Sequence, residues 1–258
     1  MRVIFFIFSL ALSISLSAQS NKNKFHFFEL KVYEYTTTAQ EKVIDEFLSQ
    51  SFLPFLHKNG RSKVGVFSNY GNDTSVVKRV YVLIPHKTLS EIPVLQKGFF
   101  SDKEHMAKGV TYLDASSSQP AFNRITTYIL EGFRFAPHLM LPNLKAGYNE
   151  RVYELRSYES ASEKKYWKKV EMFNEGGEID LFARLNFNAV FYAEVVSGPT
   201  MPNLMYMTCF ENMNDRNDHW KAFSSDPKWK ELLSMKEYEQ TVSKNVTTFL
   251  KAKSYSDY

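Results

Sequence analysis

Hydrophobic and polar residues alternate through "FELKVYE" at 28–34, and the same pattern returns as "YELRSYE" at 153–159. Alternation of this kind predicts a strand with one face buried. At a constant offset of 125, Glu29, Leu30, Tyr33 and Glu34 meet Glu154, Leu155, Tyr158 and Glu159. The same offset lays "VYVLI" (80–84) on "MYMTC" (205–209), with Tyr81 over Tyr206. "FFSDKE" (99–104) falls on "FSSDPK" (223–228) at an offset of 124, and "RITTYIL" (124–130) on "NVTTFLK" (245–251) at 121. Four segments matched in one order predict an internal duplication, with copies at 25–136 and 151–258. Two prolines and a glycine between them mark 137–150 as a linker.

The second copy is the easier to read. Tyr166, Val170, Phe173, Gly177 and Leu181 recur at helical spacing, and Gly176-Gly177 should weaken or kink that helix. Pro54 stands near the matching place in the first copy, where a helix would break or restart. "NAVFYAEVV" and "NLMYMTCFE" read as strands joined by the hairpin loop "SGPTMP". A helical stretch with Trp220 and Phe223 follows, then Asp226-Pro227, an N-cap acid with Pro at the first helical position. "VTTFL" closes the unit as a strand. The order β-α-β-β-α-β is the ferredoxin-like arrangement, so the fold class is α+β. A four-stranded sheet with helices on one face leaves the other face bare, and a second sheet in the same chain can cover it. The expected architecture is two ferredoxin-like repeats packed sheet to sheet, an intrachain dimeric α/β barrel with helices outside.

"VYELRSYE", Glu175-Gly176-Gly177, "NLMYMTCFEN" and "SSDPKWKELL" resemble the NIPSNAP family. In the first copy the resemblance is thinner, carried by "FFELKVYE" and "FFSDKEH". As a whole the chain is similar to exported two-copy members from bacteria of the Bacteroidetes type. The resemblance implies the dimeric α/β-barrel fold and says little about activity, because the family brings no established catalytic residues to carry over. Animal members are tied to mitochondria and membrane traffic, roles that do not transfer to a chain with an export signal.

Composition narrows the function classes. The chain of 258 residues is 44% hydrophobic and 16% aromatic, ample for a core. Its net charge of +4 comes from interleaved acids and bases, which argues against nucleic acid as a partner. "MRVIFFIFSLALSISLSAQS" reads as a secretory signal peptide at 1–18, cut after Ala18 with Ser17 or Ser20 as alternatives, which predicts a periplasmic or secreted protein without stable membrane insertion. The single cysteine, Cys209, excludes an internal disulfide and alternates with Met205 and Met207 on one strand face, as a buried inert thiol would. GxGxxG, GxxxxGK, GxSxG, HExxH and CxxC motifs are missing, and the six histidines never lie three to five apart. Catalytic residues are therefore unassigned, and no cofactor or metal is expected. His219, beside Trp220, is the best single candidate for chemistry, the plainer reading being a hydrogen bond near the helix start.

The doubled strand carries the candidate site. Alternation puts Glu29, Lys31 and Tyr33 on one face, and Glu154, Arg156 and Tyr158 on the equivalent face of the other copy. With Leu30 and Leu155 taken to the helix side, these rows are expected inside the barrel, joined by Tyr81, Tyr192, Glu194 and Tyr206. Charges there must pair or stay wet. A wet cavity of this kind would suit a small polar or aromatic ligand. The alternative is a cross-strand salt-bridge ladder that only fixes register, each pair worth roughly 0.2–1 kcal/mol. Self-association into a homo-oligomer is left open.

Overall fold

The structure, a computed structural model, describes residues 26–71 and 73–258. The expected signal peptide at 1–18 lies outside the described residues. The first repeat supplies β1 (Phe27–Tyr35), β2 (Gly65–Asn69), β3 (Lys78–His86) and β4 (Arg124–Gly132). The second supplies β5 (Val152–Glu159), β6 (Ala189–Ser197), β7 (Asn203–Phe210) and β8 (Lys244–Ala252). Each forms an antiparallel sheet, in the order β4-β1-β3-β2 and β8-β5-β7-β6. The sheets do more than face each other: β2 pairs with β8 and β4 with β6, so the strands close into one barrel. Closure leaves no sheet edge with unpaired backbone groups.

Phe28, Leu30 and Val32 of β1, Leu155 of β5, and Met205, Met207 and Cys209 of β7 fall in one buried cluster that contains no helical residue, the barrel interior. Tyr33, Tyr158, Tyr192 and Tyr206 fall instead in clusters shared with the helices. This reverses the expected orientation: the leucines point inward, and the acid–base–Tyr rows lie between sheet and helices. Alternation defines two faces without saying which is inner. The donors that satisfy Glu154 come from the helix side, from Arg216 and Trp220.

The ladders also correct the alignment of the copies. Lys31 sits opposite Val82, and Arg156 opposite Tyr206, so β3 and β7 correspond at an offset of 124. Tyr81 thus matches Met205 and lies inside, whereas Tyr206 faces the helices. A slip of one residue exchanges the faces of a strand.

One end of the barrel is plugged by Phe67, Tyr153 and Tyr258, with ring centroids 4.8–6.4 Å apart, and by Leu139 from the linker. The other end opens into a cavity of about 360 Å³. Its lining includes two ion pairs, Glu34–Arg79 and Glu159–Lys244, each at 2.9 Å.

In the first repeat α1 (Thr38–Phe47) passes through a π turn at Leu48–Phe52 into α2 (Leu53–Lys58), so Pro54 falls in a first turn rather than ending the helix. Then α3 (Glu91–Ser101), α4 (Lys103–Lys108) and α5 (Val110–Leu113) lie between β3 and β4. In the second repeat the helix does break, into α6 (Glu163–Phe173) and α7 (Glu178–Arg184). Gly177 has φ +85°, and a Cβ on Gly176 would stand 2.5 Å from the Met172 carbonyl oxygen. Next come α8 (Met213–Ser225) and α9 (Pro227–Ser234), and Asp226 caps α9 as expected, its Oδ1 accepting the Lys228 amide at 2.9 Å. No helix of the described residues is long and apolar enough to cross a membrane.

Gly177→Ala is expected to cost about 1–2 kcal/mol through its left-handed backbone. Gly147→Ala, where nothing lies within 4 Å, should stay within about 0.5 kcal/mol of wild type. Urea unfolding of the three proteins measures both.

Candidate functional site

In the second repeat, β5 presents Glu154 and Arg156 to helix α8 and Tyr158 to helix α6. The Glu154 side chain is fully buried. Its Oε1 accepts from Arg156 Nε at 2.7 Å and Arg216 Nη2 at 2.9 Å; its Oε2 accepts from Arg216 Nε and Trp220 Nε1, both at 2.8 Å. Arg216 thus grips the carboxylate in two places, the geometry that guanidinium and carboxylate favour. The Arg156 guanidinium lies 3.8 Å from the centre of the Trp220 ring and donates to the Tyr158 hydroxyl at 3.1 Å. That hydroxyl is in turn 2.7 Å from the Tyr206 hydroxyl. Burial raises the Glu154 pKa, but the Arg216 hydrogen bond and the Arg156 charge outweigh it and hold the carboxyl below its usual range. Deeper in the same layer Lys169 and Glu178 pair at 2.7 Å, and there burial wins, raising the Glu178 pKa against the pull of Lys169.

The first repeat carries the equivalent row with a different outcome. Glu29 accepts from Lys31 Nζ at 3.0 Å. Nε2 of His86 is 3.5 Å from Glu29 Oε2. Burial opposes ionisation of Glu29, but His86 and Lys31 together depress its pKa. The His86 side chain is 1% exposed, and neither ring nitrogen has a hydrogen-bond partner among the described residues. Beside these groups lies a cavity of about 140 Å³, lined also by Tyr33, Phe47, Phe52, Phe99, Tyr112 and one face of α3. Stacking of Phe47 on Tyr112, centroids 3.9 Å apart, fixes part of the wall. An apolar hollow with a few convergent polar groups is what a small-molecule site requires. A buried polar group left without a partner calls for an explanation.

The structure therefore gathers Glu154, Arg156, Tyr158 and Tyr206 into one saturated cluster, and Glu29, Lys31 and Tyr33 around a cavity in the other repeat. His219 joins neither group. Its Nδ1 donates to the Asp215 carbonyl at 2.7 Å, and its ring packs edge-on against Phe187. Cys209 lies in the barrel core, its thiol pushed up to about 12 by burial. Asp102, Glu104 and His105 bring ligand atoms within 4.8 Å of one another. Asp102, however, binds Lys58 and caps α4, just as Asp226 binds Arg184 and caps α9, so the grouping belongs to a helix junction present in both repeats. A hollow of about 680 Å³ beside the start of α1 is a surface groove lined largely by hydroxyls, small side chains and loop residues.

Sequence reasoning missed His86. The histidine is not duplicated, since Phe210 stands in its place, and no second histidine lies nearby in the chain. The usable signal was the alternation Val80, Val82, Ile84, His86, which puts the imidazole on the face that Glu29 shares through the Glu29–Ile84 pair.

The NIPSNAP family model matches residues 153–257. The second repeat is a NIPSNAP domain. No curated relative matches the chain in sequence. Among solved structures, a candidate monooxygenase from Lactobacillus acidophilus aligns over 88% of this chain and 94% of its own, with TM-score 0.53 and 11% identity. One from Fusobacterium nucleatum aligns over 89% and 93%, with TM-score 0.55 and 5% identity. An anthrone oxidase-like protein aligns over 90% and 92%, with TM-score 0.50 and 10% identity. At these identities the likeness is one of fold, the dimeric α/β barrel across both repeats. The NIPSNAP repeat is thus the one whose sheet–helix layer is saturated, and the cavity belongs to the repeat outside the family match.

Glu154→Gln leaves two half-buried guanidinium groups without their carboxylate and should cost about 3 kcal/mol in chemical denaturation. Because the folded pKa of Glu154 lies below its unfolded value, its contribution is complete above about pH 4.3 and is lost as the pH falls through the folded value. Glu178, with a raised pKa, acts oppositely: its contribution is complete below the unfolded value and lost as the pH rises through the folded one. The acid-side decline in stability should therefore be shallower in Glu154→Gln than in wild type.

Proposed function

We propose that this protein is an exported, non-catalytic binder of a small amphipathic molecule, held in the first-repeat cavity between the sheet and α3. The apolar body of the ligand lies against Phe47, Phe52 and Phe99, and its polar end meets Glu29, Lys31 and His86. One observation carries the reading: His86, buried at the cavity wall, has Nδ1 without a partner and Nε2 no nearer than 3.5 Å to Glu29. A ligand that bonds to it removes the penalty of a buried, unpaired polar group, about 1–3 kcal/mol. Export is supported by the charged, then apolar, then small-residue pattern of 1–18.

A second reading comes from the same pair. An imidazole 3.5 Å from a carboxylate held ionised has the makings of a proton acceptor, and the neighbours of similar fold are described as monooxygenases or oxidase-like. On that reading the cavity would turn over its ligand rather than store it; fold likeness alone favours no chemistry.

Native mass spectrometry of protein purified from its own host is expected to show a bound small molecule. His86→Leu should weaken its retention about tenfold, whereas Arg156→Lys in the other repeat should not release it. An unchanged adduct in His86→Leu refutes the assignment, and a chemically altered molecule after incubation moves it to the enzymatic reading. Deletion of residues 2–18 should leave the protein in the cytoplasm of the producing cell, as fractionation would detect.

A further inference from the structure

The two repeats can be read against each other on the face that holds the cavity. Asp102 ends α3 and caps α4; Asp226 ends α8 and caps α9. Each is 2.9 Å from a cation of the preceding helix, Lys58 or Arg184. The two junctions correspond at an offset of 124, the offset that relates β3 to β7. Counting back from the junction pairs Phe99 with Phe223, Gln96 with Trp220 and Ile92 with Arg216.

In the NIPSNAP repeat, Arg216 and Trp220 deliver three N–H groups to Glu154, and the Arg156 guanidinium covers the indole face. In the first repeat Glu29 and Lys31 stand in the places of Glu154 and Arg156, but α3 offers Ile92 and Gln96 instead. The cavity is lined by those two residues together with Glu29, Lys31 and His86. The first repeat thus keeps the acceptor and the cation and lacks the guanidinium and the indole between them.

We infer that Arg216 and Trp220 are a built-in copy of what the first-repeat cavity takes from solution: a single-ring aromatic carrying N–H donors, of the arylamidine or arylamine class, bonded to the Glu29 carboxylate. This rests on the cavity being a ligand site and adds the chemistry of its occupant. Size agrees for the ring itself, because a cavity of about 150 Å³ accepts benzene and this one has about 140 Å³; the donor group extends from the ring to Glu29 at the wall. Polarity agrees as well. An ionised carboxylate has about four acceptor positions; Lys31 fills one at 3.0 Å, and His86 Nε2 stands 3.5 Å from the other oxygen. A carboxylate ligand would bring a second negative charge against Glu29. Lys31 and the aromatic wall then hold the ring as Arg156 holds the indole, through its π face.

The test is calorimetric titration of the mature chain with benzamidine, benzoate and anisole, which share a ring and differ in the donor. Benzamidine is expected to bind at least tenfold more tightly than either of the others, and Glu29→Gln should weaken it at least tenfold. The double variant Ile92→Arg/Gln96→Trp, which writes the second repeat's pair into α3, should abolish benzamidine binding and leave the far-ultraviolet spectrum unchanged. Gln96→Trp alone should weaken it, which keeps the test valid if the double variant does not fold. If benzoate or anisole binds as tightly as benzamidine and is displaced by the same variants, the cavity stands as a ligand site and the inferred class is overturned. If wild type binds none of the three, the inferred class is overturned while other ligands of the cavity stay accessible to the mass-spectrometric test. Benzamidine binding that survives both Gln96→Trp and Glu29→Gln places it elsewhere on the molecule and also overturns the inference.

Discussion

Backbone hydrogen bonding across two seams, β2 with β8 and β4 with β6, is the constraint from which the rest of this structure follows. Each repeat alone would expose two strand edges and one apolar sheet face to water. Joining the repeats in one chain removes both liabilities together, and makes the pairing independent of concentration. The linker takes part, for Leu139 enters the core at the plugged end and the Lys145 and Ala146 amides donate to Glu211.

Closure also decides where charge can go. Over most of its length the barrel interior is packed with Leu, Val, Phe, Met and Tyr, and its ion pairs sit toward the open end. The acid–base pairs of the doubled strand must therefore find partners in the layer between sheet and helices. The NIPSNAP repeat solves this by committing Arg216 and Trp220 to Glu154, at the cost of ordering two long side chains. Breaking into that cluster is expensive because each charge is compensated only by the others.

The first repeat carries the same row without the same closure. Its α3 exposes Val94 and Phe100 and brings neither a guanidinium nor an indole to Glu29. A duplication permits this division of labour: one copy holds the layer together while the other is free to present a cavity. The buried imidazole of His86, its Nδ1 without a partner among the described residues, carries a cost that the NIPSNAP repeat avoids with Phe210 at the matching place.

Much of the architecture was legible from residues alone. Alternation, helical spacing and the repeated "FELKVYE"/"YELRSYE" determined the strands, the βαββαβ order and the pairing of two sheets, because local periodicity records which positions are buried. The Gly176-Gly177 break and the Asp226-Pro227 cap were equally local, resting on backbone conformation and one side-chain hydrogen bond. Which face of each strand turns inward was not local. It depends on what the opposing layer offers, and the polar groups that satisfy Glu154 come from α8, some sixty residues away (Arg216 and Trp220 are 62 and 66 positions on). The correspondence of β3 with β7 hung on a single residue of register, set by ladder hydrogen bonds that no pattern of side chains prints. The cavity could be seen only in three dimensions, since it consists of what Ile92 and Gln96 fail to fill.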